Sequence, residues 1–164
     1  MILVALGANL PSPRHGTPRQ TCEAALAALT AGGARVLRRS RWYRSDPVPP
    51  SGQPSFVNGV AEVATDLSPA ELLALLHQIE NEFGRTRRQR NEARLIDLDL
   101  LAYGDRVSAA GEVPELPHPR LAGRAFVLLP LAELAPDWRH PVSGQRAADL
   151  AAQLPPGQTA EPID

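Results

Sequence analysis

The hydrophobic pattern changes period along the chain, and each change marks an element. Residues 2–6 read ILVAL, a continuous apolar run closed by Gly7, which predicts a buried strand. From Pro18 to Thr30 apolar residues recur at 22, 25, 26 and 29, one face of a helix that Gly32-Gly33 ends. Residues 34–45 (ARVLRRSRWYRS) alternate in part and predict one strand, polar on one side. DPVPPSGQP (46–54) is too rich in proline to pair in a sheet and predicts a loop. FVNGVAEVAT (56–65) predicts a further strand. Ser68-Pro69-Ala70-Glu71 then combines a capping serine, a proline at the first helical position and the glutamate of a capping box. Apolar residues at 72, 73, 75, 76, 79 and 83 continue that helix to Gly84.

Residues 95–103 predict a strand, and GDRV (104–107) a turn into a hairpin. AFVLLPLAEL (125–134) predicts a helical pass broken near Pro130. The last ~20 residues, polar and rich in proline, predict a surface helix and a frayed end. The order β-α-β-β-α-β with extra C-terminal elements is an α+β, ferredoxin-like arrangement, expected as one sheet with helices on one face. With 164 residues and no internal repeat or linker, one domain spanning 1–164 is expected.

Composition narrows the partners. Aromatics make up 4%, so the core must come mainly from Leu, Val and Ala. Seventeen Lys+Arg, all of them Arg, balance eighteen Asp+Glu, which gives no global reason to expect nucleic acid or membrane. A monomer is expected. The single cysteine, Cys22, excludes an internal disulfide and reads as a small buried hydrophobe in the first helix. MILVALGANL lacks the basic start of a signal peptide, and no run approaches the ~20 apolar residues that span a bilayer, so a cytoplasmic protein is expected.

One strand carries an anomaly. RLIDLDLLAY (94–103) sets Asp97 and Asp99 inside an apolar run, where unpaired carboxylates cost several kcal/mol or shift their pKa. Residues two apart in a strand share a face, about 6.6 Å apart along the chain. Ile96, Leu98, Leu100 and Ala102 would then share the opposite, packed face. Two adjacent carboxylates repel, and a hard divalent cation such as Mg²⁺ removes that repulsion. Asp-x-Asp by itself fits a solvated edge equally well. Arg85, Arg87, Arg88, Arg90 and Arg94 precede the pair; by themselves they fit a solvated loop. Together, arginines and a carboxylate pair suit a metal–polyphosphate site. His77 and Glu80 share a helical face just outside the apolar stripe. Glu80, near the helix C-terminus, opposes the macrodipole and requires a partner. No P-loop, no Gly-x-Ser-x-Gly and no zinc spacing is present. Metal-assisted transfer of a phosphate-containing group remains. A ferredoxin-like RNA or ligand-binding module, or another Mg²⁺-dependent transferase, also remains open.

The set LGANL, YRSDPV…QPSFVNGV, IENEFGRTR, RLIDLDLLAYGD and PHPRLAGRAFVLLPLAEL, in this order over residues ~2–138, resembles the 6-hydroxymethyl-7,8-dihydropterin pyrophosphokinases of folate biosynthesis. The resemblance implies a ferredoxin-like core that moves the pyrophosphoryl group of ATP to the pterin hydroxymethyl, releasing AMP. It implies two Mg²⁺ ions on Asp97 and Asp99, catalytic Arg85 and Arg94, and phosphate or nucleotide contacts from His77, Glu80, Arg87, His118 and Arg124. It implies a pterin pocket of Ser45, Val48, Phe56, Asn58 and Phe126, with Asn58 bonding the ring edge and Phe126 stacking on its face. His77 stands where the family often has glutamine, Asp46 where some members have proline, and Asn91-Glu92-Ala93 where an aromatic lid is often found. Asn9 reads as structural, in a turn after the first strand.

Overall fold

The computed structural model describes residues 1–47, 51–84 and 95–164. Its centre is β1 (Ile2–Ala8), the apolar run at the N-terminus. β1 pairs antiparallel with β4 (Phe56–Thr65) on one side and with β5 (Asp97–Tyr103) on the other. β2 (Ala34–Arg39) and β3 (Tyr43–Ser45) pair with successive parts of the outer edge of β4. β6 (Ala160–Pro162) pairs with β3. The ferredoxin-like arrangement is therefore present.

The first two predicted helices form where their signals lie. α1 (Pro18–Ala31) opens on a capping box between Thr17 and Gln20, and α2 (Pro69–Phe83) on the one between Ser68 and Glu71. Each box satisfies amides that a helix start leaves without partners. Their apolar stripes meet one face of the sheet: Leu29, Leu72, Leu76 and Ile79 pack with Val4, Leu6, Leu98 and Leu100. Cys22 is buried in this layer, and burial pushes its thiol up to about 12, consistent with a packing role.

Several expectations need correction. First, helices lie on both faces. α3 (Ala125–Leu134) and α4 (Ala147–Ala152) cover part of the second face, where Leu3, Val60, Leu101, Leu128 and Leu131 form a second core. A sequence pattern reveals that a strand is apolar on both sides, but not which elements cover each side. α3 also runs unbroken through Pro130, within a helix buried against the sheet.

Second, the single strand expected at 34–45 is two strands. Leu37 is bulged out of the β2–β4 register, and the chain leaves the edge after Arg39. Trp42 then turns beneath the sheet and fills the space above Gly59. Third, β5 also contains a bulge. Leu3 faces Ala102 but Val4 faces Leu100, so Leu101 is the extra residue. Ala102 consequently joins Leu101 in the second core instead of continuing the Leu98–Leu100 face. Fourth, the C-terminus does not fray: β6 closes the sheet, and the Asp164 carboxylate accepts from Trp42 N (2.8 Å) and Arg19 (3.2 Å). The hairpin expected after GDRV is absent; Gly104, at φ +59°, turns the chain into a segment without a strand.

α3 is tied to β3 by one carboxylate. Glu133 accepts from the Tyr43 hydroxyl (2.7 Å), the Arg41 guanidinium (2.7 Å) and the Arg41 backbone N–H (2.6 Å). Burial alone would raise the Glu133 pKa, but these three donors outweigh it and hold Glu133 below the ordinary carboxylate range. A depressed folded-state pKa supplies stability above the unfolded value that is lost as pH falls through the folded one. Glu133→Gln should therefore lower stability at neutral pH and flatten its acid dependence; urea midpoints across the carboxylate range check this. Gly59→Ala would set a Cβ 2.6 Å from the Trp42 ring, which is fully buried. It should cost about 1–3 kcal/mol of unfolding free energy in urea denaturation.

Candidate functional site

Among the described residues, α3 and α4 cover the second sheet face only in part. Beside the start of α3, the end of β1 and the beginnings of β4 and β5 line an open cleft of about 560 Å³. Register decides what stands there. Gly7 pairs with Asn58 on one side and with Asp97 on the other, so three strands set one row across the sheet. The row below is Val60, Ala5 and Asp99. Asn58 and Asp97 thus stand on the same face two strands apart, roughly 10 Å. The central position of this row is glycine. A Cβ on Gly7 would approach Asn58 Nδ2 to 2.9 Å, so its absence keeps the cleft floor open.

Asn58 is buried, and its Oδ1 accepts from the Ser45 hydroxyl. That bond fixes the amide and turns its Nδ2 toward Gly7 and the cleft. Ser45, Asp46, Pro47 and Phe56 complete this end of the cleft, and Phe126 joins them from the first turn of α3. The Asp46 carboxylate accepts from Ser55 (2.9 Å), and Asn9 donates to Gln53 Oε1 (3.1 Å) and the Pro54 carbonyl (3.2 Å). These bonds tie the proline-rich loop back onto β4 and β1.

The other end is charged. Asp97 and Asp99 are exposed and half-exposed on the cleft face of β5. Glu80 accepts the Leu98 N–H at 2.9 Å, between the two aspartates, so the end of α2 is fastened to the strand that carries them. The partner that Glu80 requires is in this respect a backbone amide. His118 Nε2 lies 3.8 Å from Asp99. Burial lowers the His118 pKa, Asp99 opposes that, and Arg124 and Arg120 add to the lowering, leaving it below the ordinary histidine value. Arg124 is lowered by burial and by Arg120, against Asp99; a guanidinium nevertheless stays charged. Its side chain lies over the Phe126 ring, 5.3 Å from the centroid.

Of the residues singled out in the sequence, Ser45, Phe56, Asn58, Glu80, Asp97, Asp99, Arg124 and Phe126 line this one cleft, and His118 borders it through Asp99. His77 is exposed on α2 and is not part of the cleft wall. Val48, Arg85, Arg87 and Arg94 lie outside the described residues. Gly7, Arg120 and Gln158 also line the cleft. Arg120 stands in the same PHPRLAGR run as His118 and Arg124, and that clustering was its available signal. Gly7 has no side chain to signal a role, and Gln158 belongs to the tail expected to fray.

The donor set suits a hard cation. Two carboxylates line the cleft, and no group of three metal-ligating side chains occurs among the described residues. Mg²⁺ is typically held by one or two carboxylates plus water and substrate phosphates, so this pair fits such an ion shared with a polyphosphate.

The 7,8-dihydro-6-hydroxymethylpterin-pyrophosphokinase family profile matches residues 3–136. A curated 2-amino-4-hydroxy-6-hydroxymethyldihydropteridine pyrophosphokinase of Pseudomonas aeruginosa is 43% identical over 157 residues, covering 94% of this chain and 91% of that protein. The protein of the same name from Synechocystis is 41% identical over 152 residues, covering 93% and 75%. Among solved structures, a Plasmodium falciparum HPPK-DHPS matches with a TM-score of 0.69 at 14% identity. That match covers 93% of this chain and 44% of the Plasmodium chain, so this chain spans less than half of it, and the likeness is one of fold. The chain belongs to the 7,8-dihydro-6-hydroxymethylpterin-pyrophosphokinase family.

Proposed function

We infer that the chain carries out its family's reaction, transfer of the pyrophosphoryl group of ATP to the hydroxymethyl oxygen of 6-hydroxymethyl-7,8-dihydropterin. AMP is released, and the product enters folate synthesis. The observation that carries this reading is the row Asn58–Gly7–Asp97. It joins a pocket for a flat heterocycle to a carboxylate pair for a polyphosphate, across one residue without a side chain.

The pterin is bound at the Asn58 end. Phe56 and Phe126 offer ring faces, and the Asn58 amide hydrogen-bonds the polar ring edge. Its hydroxymethyl then points along the row toward Asp97 and Asp99. The triphosphate lies over the aspartates, with Arg124, Arg120 and His118 on one flank and Glu80 on the other. The family resemblance adds Arg85, Arg87 and Arg94 as phosphate contacts and His77 as a nucleotide contact. Asp97 and Asp99 would hold Mg²⁺, which when bound offsets phosphate charge and acts as a Lewis acid on the transferring group. The substrate oxygen attacks the β-phosphorus, a new O–P bond forms, and the bond from the β-phosphorus to the bridging oxygen of AMP breaks. The hydroxyl proton leaves to solvent. Such a transfer depends on positioning and charge neutralisation more than on a protein nucleophile. Arg120 and Arg124 supply the cationic flank.

A cytoplasmic monomer acting on small molecules is part of the proposal. Arg38, Arg41 and Arg44, on the β2–β3 edge, pair with Glu62, Glu133 and Glu161, which neutralises their charge locally. Among the described residues no helix is long and apolar enough to cross a membrane.

Incubation with ATP, Mg²⁺ and the hydroxymethyl pterin should yield AMP in equal amount to pterin pyrophosphate, and none without the divalent ion. Formation of ADP or free pyrophosphate in place of AMP would rule the reaction out. Asp97→Asn and Asp99→Asn should each lower kcat by about 10²-fold or more, while pterin binding, followed by fluorescence titration, changes little. Unchanged turnover in either variant would remove that residue from the metal site.

A further inference from the structure

Gln158 makes contacts out of proportion to its place in a polar tail. Its Oε1 accepts from the Ala125 N–H at 2.9 Å, and its Nε2 donates to the Gly123 carbonyl at 2.9 Å. One primary amide therefore grips the chain immediately before and after Arg124, as the peptide of a neighbouring strand would. Arg124 is extended here (φ −116°, ψ 118°) and provides no side-chain cap to α3. The Ala125 amide is among the donors that a helix start leaves open, and Gln158 satisfies it from outside the helix.

The grip has a defined anchor. Gly157, at φ +99°, turns the chain just before Gln158 in a conformation that residues with a Cβ disfavour. Just beyond, β6 pairs Ala160 with Ser45, Arg44 with Glu161 and Tyr43 with Pro162. Ile163 N–H donates to the Trp42 carbonyl (2.9 Å), and the Asp164 carboxylate holds Trp42 N and Arg19. The tail thus touches both walls of the cleft. It borders Ser45, which orients Asn58, and it clamps the segment that presents Arg124 and Phe126.

We propose that Gln158 is a positioning residue for substrate binding, through which the C-terminal strap sets the placement of Phe126 and Arg124 against the pterin and the phosphates. The proposal rests on the pyrophosphokinase reading of the same cleft. Without the clamp, residues 123–126 keep their sequence and lose their fixed orientation. The loss falls on ligand binding, because Gln158 is half-exposed and adds little apolar burial.

The test uses Gln158→Ala, Gln158→Glu and, as a control for tail anchoring, Asp164→Ala in the full chain. The Gln158→Glu side chain keeps the acceptor for Ala125 N–H but opposes the Gly123 carbonyl with a second acceptor. Pterin affinity is read by fluorescence titration, KM and kcat by AMP release, and stability by thermal melting. Both Gln158 variants should weaken pterin binding and raise its KM by about five- to tenfold, the effect of roughly one neutral hydrogen bond. Their kcat should change less than twofold and their melting point little. Asp164→Ala should lower the melting point with the smaller effect on KM. Unchanged pterin affinity in both Gln158 variants overturns the proposal, as does a fall in melting point with KM unaltered. If the wild-type chain binds pterin but releases no AMP, the reaction reading fails, while the titration still decides the role of Gln158.

Discussion

The arrangement depends on the antiparallel pairing of one short strand with two long-range partners. β1 fixes β4 on one edge and β5 on the other, and its register aligns Gly7 with Asn58 and Asp97. Because side chains alternate with period two, a slip of one residue in either ladder would turn Asn58 or the aspartates into the packed layer under α1 and α2. That layer resists the slip: Val4, Leu6, Leu98 and Leu100 would have to exchange places with glycine and carboxylates. The apolar core on the first face therefore holds the polar site on the second in place.

The second face is divided along its length. Leu3, Val60 and Leu101 lie under α3 and α4, while Gly7, Asn58 and Asp97 line the open cleft. The Leu101 bulge adds to this division by directing two successive β5 residues into the second core. α3 also delivers Phe126 to the cleft, so its position matters on both sides of the boundary. Glu133 fastens its far end to β3, and Gln158 holds the chain at its start. Charge is treated in the same economical way: the edge arginines meet carboxylates of neighbouring elements, while Arg120 and Arg124 face the cleft with Asp99.

Local signals made much of the fold legible. The capping box at Ser68, the closing Gly32-Gly33 and Gly84, and the apolar stripes lie within a few turns of chain, so both main helices could be read directly. The ferredoxin-like order followed from them. Elements that form only through distant contacts were less visible. Trp42 breaks the edge strand because Gly59, 17 positions later, leaves space for its ring. β6 is three residues long and exists because β3 presents an unpaired edge. Neither condition is written in the local pattern.

The candidate site divides along the same line. The sequence by itself determined that Asp97 and Asp99 share a strand face, since alternation is a property of the backbone. It also determined the residue types expected of a pterin and polyphosphate site, through motifs in a recognisable order. Only the tertiary structure decided that Asn58 and Asp97 stand in one row with Gly7 between them. It likewise left His77 on the outer surface of α2 and brought Gln158 from the tail to the cleft wall. Register and chain reversal set these relations, and both arise from contacts between segments far apart in sequence, each of which is unremarkable when read alone.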